Sequence, residues 1–553
     1  MIKTKSHNEK ILNYLIRRGR RSNSLINTNY LMLYAFLYKY LSDKLKNHLL
    51  KQLSANGDDL KMIYGSEEDK SYIRELALND LGYFIESYDV YMDQFIKNAF
   101  SDDLVDPGFL LDLKEKIVFS KDNPCEEYFN KIIEIVENQT KFYHVSFDAE
   151  QELIISNFIS NVSKLNIEEK EFTFQRCYDL IASSRQIRLM QTPEYITQIL
   201  ERIITTERDS ATSVYDPFMG DGSNLIRVSK AFSSPIYGKE SDELHYFYTL
   251  IKAFIYEYDF NEVFLRHESA INSMSFDDRL FDVIVSKIPN RYSRDVYTKQ
   301  NLEAPNPNKK DIKEQLISDF DLSEFGEDEE LLNALSILEK RVEAAGKSNV
   351  IQFEGEYESL IDSEFLFVIN MINSLKEDGI MAISVSQNFL FKKSLTTLRK
   401  FLTHENNYID TIISLPEDLS RAIRPEVIIV FRKNKNREDV LFIDFSKDYK
   451  LTRPKNIVPG LFRRNLILDD RTLDKVTDVL TKRKTIDKFS QLICLDELSK
   501  NDFNLSVSRY VDTYDGEFIR IRDLKGNKKD IDQKMDYLNK KIAMMMDELD
   551  IGL

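Results

Sequence analysis

The sequence predicts an α/β protein in which a doubly wound sheet domain follows an N-terminal helical domain and precedes a C-terminal segment ending in a heptad helix. Helical periodicity dominates to about residue 180, short β-rich runs alternate with helical patterns from about residue 190, and heptad spacing appears near the end. The predicted domains are residues 1–180, 181–460 and 461–553. A chain of 553 residues is also too long for a single hydrophobic core.

The N-terminal domain is predicted to be helical because apolar residues recur at three- and four-residue spacing. The pattern is clearest in residues 31–50 and 127–143, and turn signals lie between them at Asn56-Gly57 and Asp106-Pro107-Gly108. No strands are predicted in this region.

The sheet domain is predicted from eight β-rich runs that alternate with helical patterns. The runs are Ser213–Tyr215, Pro235–Tyr237, Val263–Arg266, Phe281–Val285, Ile380–Val385, Tyr408–Leu415, Glu426–Phe431 and Val440–Phe445. Helical patterns include Ser363–Leu375 and Ser394–Leu402. The polar stretch from about 290 to 356 is predicted to be an insertion with one helix near Glu329–Ala345.

The C-terminal segment ends in apolar residues at heptad spacing, which need a partner helix. They are Ile531, Met535, Leu538, Ile542, Met545 and Leu549. The partner could belong to another subunit or to this chain's own helical domain, and spacing alone does not decide between them.

Composition indicates a soluble globular protein, with 42% hydrophobic and 30% charged residues. No apolar run reaches the length of a membrane span, and the N-terminus lacks the continuous apolar stretch of a secretory signal. The widely separated Cys125, Cys177 and Cys494 match no metal-ligand spacing. We therefore expect a cytoplasmic protein without a membrane association, a disulfide framework or a metal site.

The net charge of −16 is unusual for a protein that contacts DNA phosphates. Local basic clusters do occur, at 17–21, 432–437, 463–464 and 482–484. Each is more simply interpreted as a solvated charged face. If the protein binds DNA, we expect much of the contact to come from a partner subunit.

The strongest chemical signal is a glycine-rich turn between the first predicted strand of the sheet and the helix that follows. The strand ends in Asp216-Pro217-Phe218, and Gly220 and Gly222 form the turn. Doubly wound sheets bind nucleotides at such switch points, where glycine allows the backbone to approach a ligand. Glu240 ends the next strand, where a carboxylate can accept both ribose hydroxyls. The Asp-Pro-x-x-Gly-x-Gly form indicates S-adenosylmethionine rather than a dinucleotide.

These residues, with others along the chain, resemble successive motifs of the adenine-N6 DNA methyltransferases, in the order found in the modification subunits of type I restriction-modification systems. The matching segments are Tyr38–Asp43, Thr192–Tyr195, Asp216–Gly222, Gly238–Glu240, Phe281–Val285, Tyr408–Pro416 and Asp502–Asp512. The resemblance covers nearly the whole chain.

The resemblance implies a Rossmann-like S-adenosylmethionine-dependent methyltransferase sheet that modifies double-stranded DNA, beside a DNA specificity subunit and in some systems a restriction or motor subunit. It also implies a set of cofactor-binding residues. These are Thr192, Pro193, Asp216, Pro217, Phe218, Gly220, Gly222, Glu240 and, shifted by one place, Glu268.

The acceptor motif departs from the family pattern. After the strand ending at Val285, the family has Asn-Pro-Pro followed by an aromatic residue, whereas this chain has Lys287-Ile288-Pro289-Asn290. In the family the Asn oxygen accepts the amine hydrogens and stabilises charge developing on nitrogen, and the aromatic ring stacks on the flipped base. Lysine offers donors only.

Two neighbouring side chains could replace the lost groups. Ser286 would supply an acceptor if the alignment slipped by one residue, and Tyr292 would supply a stacking ring. The candidate catalytic residues are therefore Ser286, Lys287, Pro289 and Tyr292.

Three functions remain open at this point. The chain is a DNA adenine-N6 methyltransferase with a variant acceptor loop, or a catalytically impaired scaffold subunit of a DNA-modification or phage-defence complex. Methylation of protein, RNA or a small molecule would use the same cofactor site, but would not explain the collinear motifs.

Overall fold

The structure is a computed structural model that describes fifteen parts of the chain. These are residues 26–54, 57–91, 114–121, 123–141, 162, 192–268, 270, 276–277, 279–288, 367–368, 371–415, 426–446, 451–452, 467–513 and 531–541. The predicted insertion at 290–356, with its helix, and the candidate residues Pro289 and Tyr292 lie outside the described residues.

A mixed nine-stranded sheet forms the centre of the described structure. Its strands are β3 (Val214–Asp216), β4 (Ile236–Glu240), β5 (Val263–His267), β6 (Phe281–Lys287), β7 (Leu375–Ser386), β8 (Ile409–Ser414), β9 (Glu426–Arg432), β10 (Val440–Asp444) and β13 (Ser490–Ile493). Their order across the sheet is β13-β10-β8-β9-β7-β6-β3-β4-β5.

Strand direction determines which residues share an edge of this sheet. The strands β5, β4, β3, β6 and β7 pair in parallel, whereas β9 lies antiparallel between β7 and β8. The carboxyl ends of the parallel strands and the beginning of β9 therefore lie at the same edge. We call this edge, which carries Asp216, Glu240, Lys287 and Glu426, the carboxyl edge.

The α/β fold class and all eight predicted strands are confirmed, with end points that shift by a few residues. The sequence did not predict the ninth strand, β13, which pairs antiparallel with β10 at the sheet edge. This strand has only four residues, Ser490–Ile493, with both buried and exposed positions. Four residues are too few to show a clear alternation of apolar and polar side chains.

The described helices pack beside this sheet and in the N-terminal region. They are α1 (Ile26–Leu53), α2 (Gly57–Tyr64), α3 (Glu67–Leu81), α4 (Pro124–Lys141), α5 (Glu194–Glu207), α6 (Ser223–Phe232), α7 (Glu243–Ile255), α8 (Thr396–Lys400), α9 (Asp470–Lys482), α10 (Leu495–Lys500) and a helix at 531–541.

The N-terminal helices and one face of the sheet share a continuous hydrophobic core. The rings of Tyr30 in α1 and Phe247 in α7 lie 5.2 Å apart, and the Tyr128 hydroxyl of α4 donates to the Val263 carbonyl of β5. Tyr40, within the first motif that resembles the family, donates to Glu257 Oε1 at 2.8 Å just beyond α7. The helical region is therefore packed directly onto the sheet region. The boundary at residue 180 itself stays a prediction, since it lies outside the described residues.

The prediction that the N-terminal region lacks strands is wrong. A short antiparallel pair joins β1 (Tyr83–Ile85) to β2 (Ile117–Phe119). Each strand has three residues, and all of β1 is buried. Strands this short and this buried show no alternation of apolar and polar residues, which is why the sequence does not reveal them.

A second short pair joins β11 (Leu451–Thr452) to β12 (Ile467–Leu468).

Two predicted helical patterns are corrected in their extent. Within 363–375, residues 367–368 and 371–373 are helical, but Leu375 begins β7 and pairs with Phe281 of β6. The second pattern, Ser394–Leu402, forms α8 and then a π-helical turn at Phe401–Glu405. Apolar residues buried on a strand and on a helix look alike in such short segments.

A buried arginine attaches the segment after the sheet to the α/β domain. Arg399 of α8 is 1% exposed and donates to the carbonyls of Phe503 at 2.7 Å and Lys392 at 2.8 Å. The Leu505 amide donates to the Leu390 carbonyl at 2.8 Å. Burial lowers the pKa of Arg399 to about 10, so the guanidinium remains charged at neutral pH. The late motif at Asp502–Asp512 is thus held against the sheet domain.

Two of the basic clusters are engaged in ion pairs within the chain. Arg432 pairs with Glu207 at 2.7 Å. Arg437 and Arg483 both pair with the buried Asp410, at 3.0 Å and 3.1 Å. These contacts favour a structural role for both clusters over DNA contact. No helix in the described ranges is long and apolar enough to cross a membrane.

Candidate cofactor and acceptor site

The glycine turn adopts backbone conformations that explain its sequence. Gly220 and Gly222 have φ angles of 54° and 69°, in the left-handed region that residues with a side chain rarely adopt. The Gly222 amide donates to the Met219 carbonyl at 2.8 Å, and its own carbonyl accepts from Ile226 as α6 begins. The turn therefore brings the amino end of α6 directly against the end of β3.

Space at Gly222 is also restricted. A Cβ atom placed there would lie 2.7 Å from Thr249 Cγ2, and the Thr249 hydroxyl donates to the Gly220 carbonyl at 3.2 Å. On the same helix, α7, the buried Lys252 donates to the Asp221 carbonyl at 3.3 Å. Helix α7 thus supports the turn from behind, a role that the sequence did not indicate.

Asp216 is completely buried at the end of β3. Its Oδ1 accepts hydrogen bonds from the Phe218 amide at 3.0 Å and the Ser286 hydroxyl at 2.7 Å. Among the residues that the structure describes, no donor reaches Oδ2. A buried carboxylate oxygen without a donor is costly, so this atom is ready to accept from a ligand.

Burial raises the pKa of Asp216 to about 7, and the hydrogen bonds from Ser286 and Phe218 act in the opposite direction. Because the pKa is raised, the folded state binds a proton more tightly than the unfolded chain. The stabilisation that the protonated carboxyl provides is complete at low pH and is lost as pH rises toward about 7.

We therefore expect the free energy of unfolding to fall between about pH 4 and pH 7 by up to about 1.4 kcal/mol per pH unit from this group. Asp216→Asn removes the titration and retains an oxygen for Ser286. The difference between the urea midpoints of the variant and the unmodified protein should widen over this pH range. Parallel pH profiles for the two proteins would contradict the assignment.

Glu240 faces the glycine turn from the end of β4. Its Oε2 accepts from the Gly220 amide and its Oε1 from the Asp242 amide, both at 2.8 Å. Burial raises the pKa of this carboxyl, while the nearby His245 lowers it. The Ser241 hydroxyl also donates to Oε1 at 3.5 Å, whereas Oε2 retains a further lone-pair direction, so the side chain is oriented and can still accept a ligand hydroxyl.

The Thr-Pro segment lies beside the same turn through Asn224 of α6. Asn224 Nδ2 lies 3.5 Å from Thr192 Oγ1, and Asn224 Oδ1 accepts from the Thr197 hydroxyl at 2.9 Å. Pro193 is buried and precedes the first residue of α5. The structure thus brings Thr192 and Pro193 to the start of α6. The buried amide of Asn224, which connects them, lies two residues after the glycine motif and was not predicted from the sequence.

Glu268, directly after β5, is half exposed and forms an ion pair with the buried Lys239 of β4 at 3.2 Å. Phe218, the cofactor candidate that follows Pro217, is partly buried. The centroids of the Phe218 and Phe367 rings lie 5.0 Å apart. Phe218 therefore belongs to the turn, whereas Glu268 lies at the end of β5, two strands away from β3. Their cofactor contacts stay predictions. No metal-holding group of His, Cys, Asp or Glu occurs in the described part of the chain.

The acceptor side shows a contact that the sequence did not predict. Lys287 ends β6 and forms an ion pair with Glu426, the first residue of β9, with 3.4 Å between Nζ and Oε1. The two side chains are 9% and 7% exposed. The Ser384 hydroxyl donates to Glu426 Oε2 at 3.0 Å. Ser286, the alternative acceptor, is fully buried and its hydroxyl already donates to Asp216. Its acceptor role stays a prediction.

Comparison with known families gives a match over more than half of the chain. The model of the family described as N-6 DNA Methylase matches residues 188–320 and 346–517. The chain belongs to this family. The match includes the glycine turn, Glu240, Lys287 and Glu426.

Curated relatives of this chain confirm the resemblance to type I modification subunits. The type I restriction enzyme MpnII methylase subunit of Mycoplasma pneumoniae is 22% identical over 378 residues, which is 65% of this chain and 60% of that protein. The MjaVII methylase subunit of Methanocaldococcus jannaschii is 35% identical over 111 residues, 19% of this chain and 18% of that protein. The chain thus spans less than two thirds of the length of these relatives.

Solved structures agree with the fold. A type I methyltransferase subunit from Streptococcus thermophilus has a TM-score of 0.63 at 19% identity, with 91% of this chain and 99% of that chain covered. A modification subunit from a type I restriction enzyme of Vibrio vulnificus, described as putative, has a TM-score of 0.50 at 10% identity, with 90% and 94% covered. The predicted methyltransferase-type sheet is therefore confirmed.

Proposed function

We propose that this chain is the S-adenosylmethionine-binding modification subunit of a type I system, working on double-stranded DNA beside a specificity subunit, with adenine N6 as the methyl acceptor of its family. The observation that carries the proposal is the turn around Asp216, in which a buried carboxylate oxygen has no donor among the described residues. The family match and the relatives' names support the choice of substrate and partner.

The residues present fit S-adenosylmethionine. Gly222 allows the left-handed turn, and Thr249 packs so closely behind it that a Cβ atom would lie only 2.7 Å from Thr249 Cγ2. Glu240 is oriented by two backbone amides toward the ribose hydroxyls. A bound sulfonium or ammonium group would favour the ionised form of Asp216, whose pKa burial raises to about 7. Thr192, Pro193, Pro217, Phe218, Gly220 and Glu268 would line the same site. When bound, S-adenosylmethionine supplies the methyl group.

A second candidate is a cofactor-binding scaffold subunit that transfers no methyl group. The Lys287–Glu426 ion pair favours it. The family's acceptor oxygen is replaced by an ammonium group that can only donate, and whose charge opposes the cation forming on the adenine amine. Binding of cofactor and subunits would then persist without catalysis.

The experiment that tests the function measures cofactor binding and methyl transfer separately. Calorimetry with S-adenosylmethionine should give saturable heat for the unmodified protein, and failure to bind would reject both candidates. Transfer of labelled methyl to DNA, with the specificity subunit present, then distinguishes the enzyme from the scaffold.

We further propose that the heptad helix joins this chain to another subunit. Residues 531–541 are helical, and Ile531, Met535 and Leu538 are 57%, 56% and 53% exposed. The described residues of the helical domain therefore do not cover this part of the heptad seam. This favours a partner helix in another subunit. The remaining seam residues, from Ile542 onward, lie outside the described residues.

We expect Ile531→Asp combined with Leu538→Asp to abolish co-purification with the specificity subunit, because a charge buried without a partner in a helix interface is costly. The Tm of the isolated chain should change little, since both side chains are exposed in it. Lys534→Ala on the same helix is the matched control and should co-purify normally. Normal stoichiometry in the double variant would show that the seam has another use.

A further inference from the structure

The charges of Lys287 and Glu426 lie almost entirely outside the reach of solvent, at the edge where the acceptor group of the family stands. Burying two charges is costly unless each compensates the other. The Nζ–Oε1 distance of 3.4 Å and the Ser384 hydrogen bond to Oε2 provide such compensation. Lys287 and Glu426 therefore form a buried, hydrogen-bonded ion pair and not an exposed pair of surface charges.

Strand topology explains how the two residues meet. Lys287 is aligned with Ser384 of β7, and Ser384 is aligned with Ile428 near the start of β9. Because β9 runs antiparallel to β7, it begins at the carboxyl edge, and its first residue reaches across β7 to the end of β6. A parallel strand in this place would have put its first residue at the opposite edge.

We propose that Lys287 and Glu426 act as one unit that closes the acceptor end of the site, with Glu426 as the positioning residue that holds the Lys287 ammonium where the family's acceptor amide stands. This inference rests on the proposed cofactor-binding function and deepens its scaffold form. The unit offers a base that enters only ammonium donors and no acceptor for the adenine amine hydrogens, so the chain binds cofactor and transfers no methyl group to adenine.

The unit also predicts that its two members depend on each other. Without Glu426, the buried Lys287 ammonium at the carboxyl edge loses this carboxylate partner. Without Lys287, the Glu426 carboxylate loses its ammonium partner in the same place. Removing one member of a buried pair is strongly destabilising, whereas removing both is close to neutral.

A double-mutant cycle in the full-length chain tests this dependence. Lys287→Met and Glu426→Gln should each lower the Tm by roughly 5 °C, and the combined variant should return to within about 2 °C of the unmodified protein. Glu207→Gln is the matched control, because its pair with Arg432 is also largely buried but lies at the other end of β9. Combined with Lys287→Met, the control should give additive losses. Additive losses in the Lys287 and Glu426 cycle would overturn the proposal.

Methyl transfer provides the readout that a purely structural pair would not affect. With the specificity subunit, the unmodified protein should bind S-adenosylmethionine in calorimetry and transfer no label to DNA. Transfer at an ordinary enzymatic rate that disappears in Glu426→Gln would instead make Glu426 the acceptor group and overturn the proposal. Failure to bind S-adenosylmethionine would reject the proposed function, yet leave the thermal coupling of the pair intact, so the two failures are distinguishable.

Discussion

Methyl transfer to DNA should appear when the acceptor loop is rebuilt together with Glu426. The rebuilt variant carries four substitutions: Lys287→Asn, Ile288→Pro, Asn290→Phe and Glu426→Gln. It returns the acceptor oxygen, the rigid loop around Pro289 and the stacking ring, and it removes the carboxylate that would otherwise lose its ammonium partner. One well-placed transition-state hydrogen-bonding group is typically worth a factor of about a hundred to a thousand in rate. We therefore expect at least about a hundredfold gain in labelled methyl transferred.

The matched control keeps Glu426 and carries only the three loop substitutions. It should gain less activity and have a lower Tm, because the buried carboxylate then lies beside the restored amide without its lysine. Methylation of DNA by the unmodified protein would show that the natural loop already supports catalysis. If the unmodified protein methylates DNA, and Ser286→Ala or Tyr292→Ala abolishes that activity, the loop is a functional variant of the family's motif.

Gly222→Val should abolish binding of S-adenosylmethionine. The φ angle of 69° strains any residue with a side chain, and the first added carbon would already lie 2.7 Å from Thr249 Cγ2. The turn must then shift away from Thr249, which disturbs the hydrogen bond from the Gly220 amide to Glu240 and the backbone that would contact the cofactor. We expect the Kd to rise at least about 100-fold, which corresponds to about 2.7 kcal/mol.

Gly57→Ala provides the control for the general effect of replacing a glycine. A Cβ atom at Gly57, the first residue of α2, would meet nothing within 4 Å. Its calorimetric titration should match that of the unmodified protein. Tight binding by the Gly222 variant would mean that the cofactor does not approach this part of the backbone.

Much of the fold was predictable because each central strand carries its own signal. β6 and β9, for example, are runs of buried β-branched and aromatic residues bounded by polar segments. The antiparallel pair of β1 and β2 was not predictable, since the three buried residues of β1 show no alternation. The Asp216 turn was found because glycine, proline and aspartate at fixed spacing mark a conformation that few other residues adopt.

Glu426 could not be found in the same way. Its importance depends on β9 running antiparallel between β7 and β8, and a single strand pattern carries no information about its direction or its neighbours. Lys287 was recognised as a departure from the family motif, but its partner lies three strands later in the chain. Lys252 and Thr249 behind the glycine turn were missed for a related reason: on a helix buried as completely as α7, a lysine or threonine gives no sign of which loop it contacts.

The continuous core between the N-terminal helices and the sheet also links their folding. Since Tyr30 and Phe247 belong to the same buried cluster, removing the helices would expose the outer face of α7, which also supports the glycine turn. The two regions should then unfold in one cooperative transition. A ligand that binds only the native carboxyl edge would, by mass action, protect the backbone amides of α1 from hydrogen exchange as well.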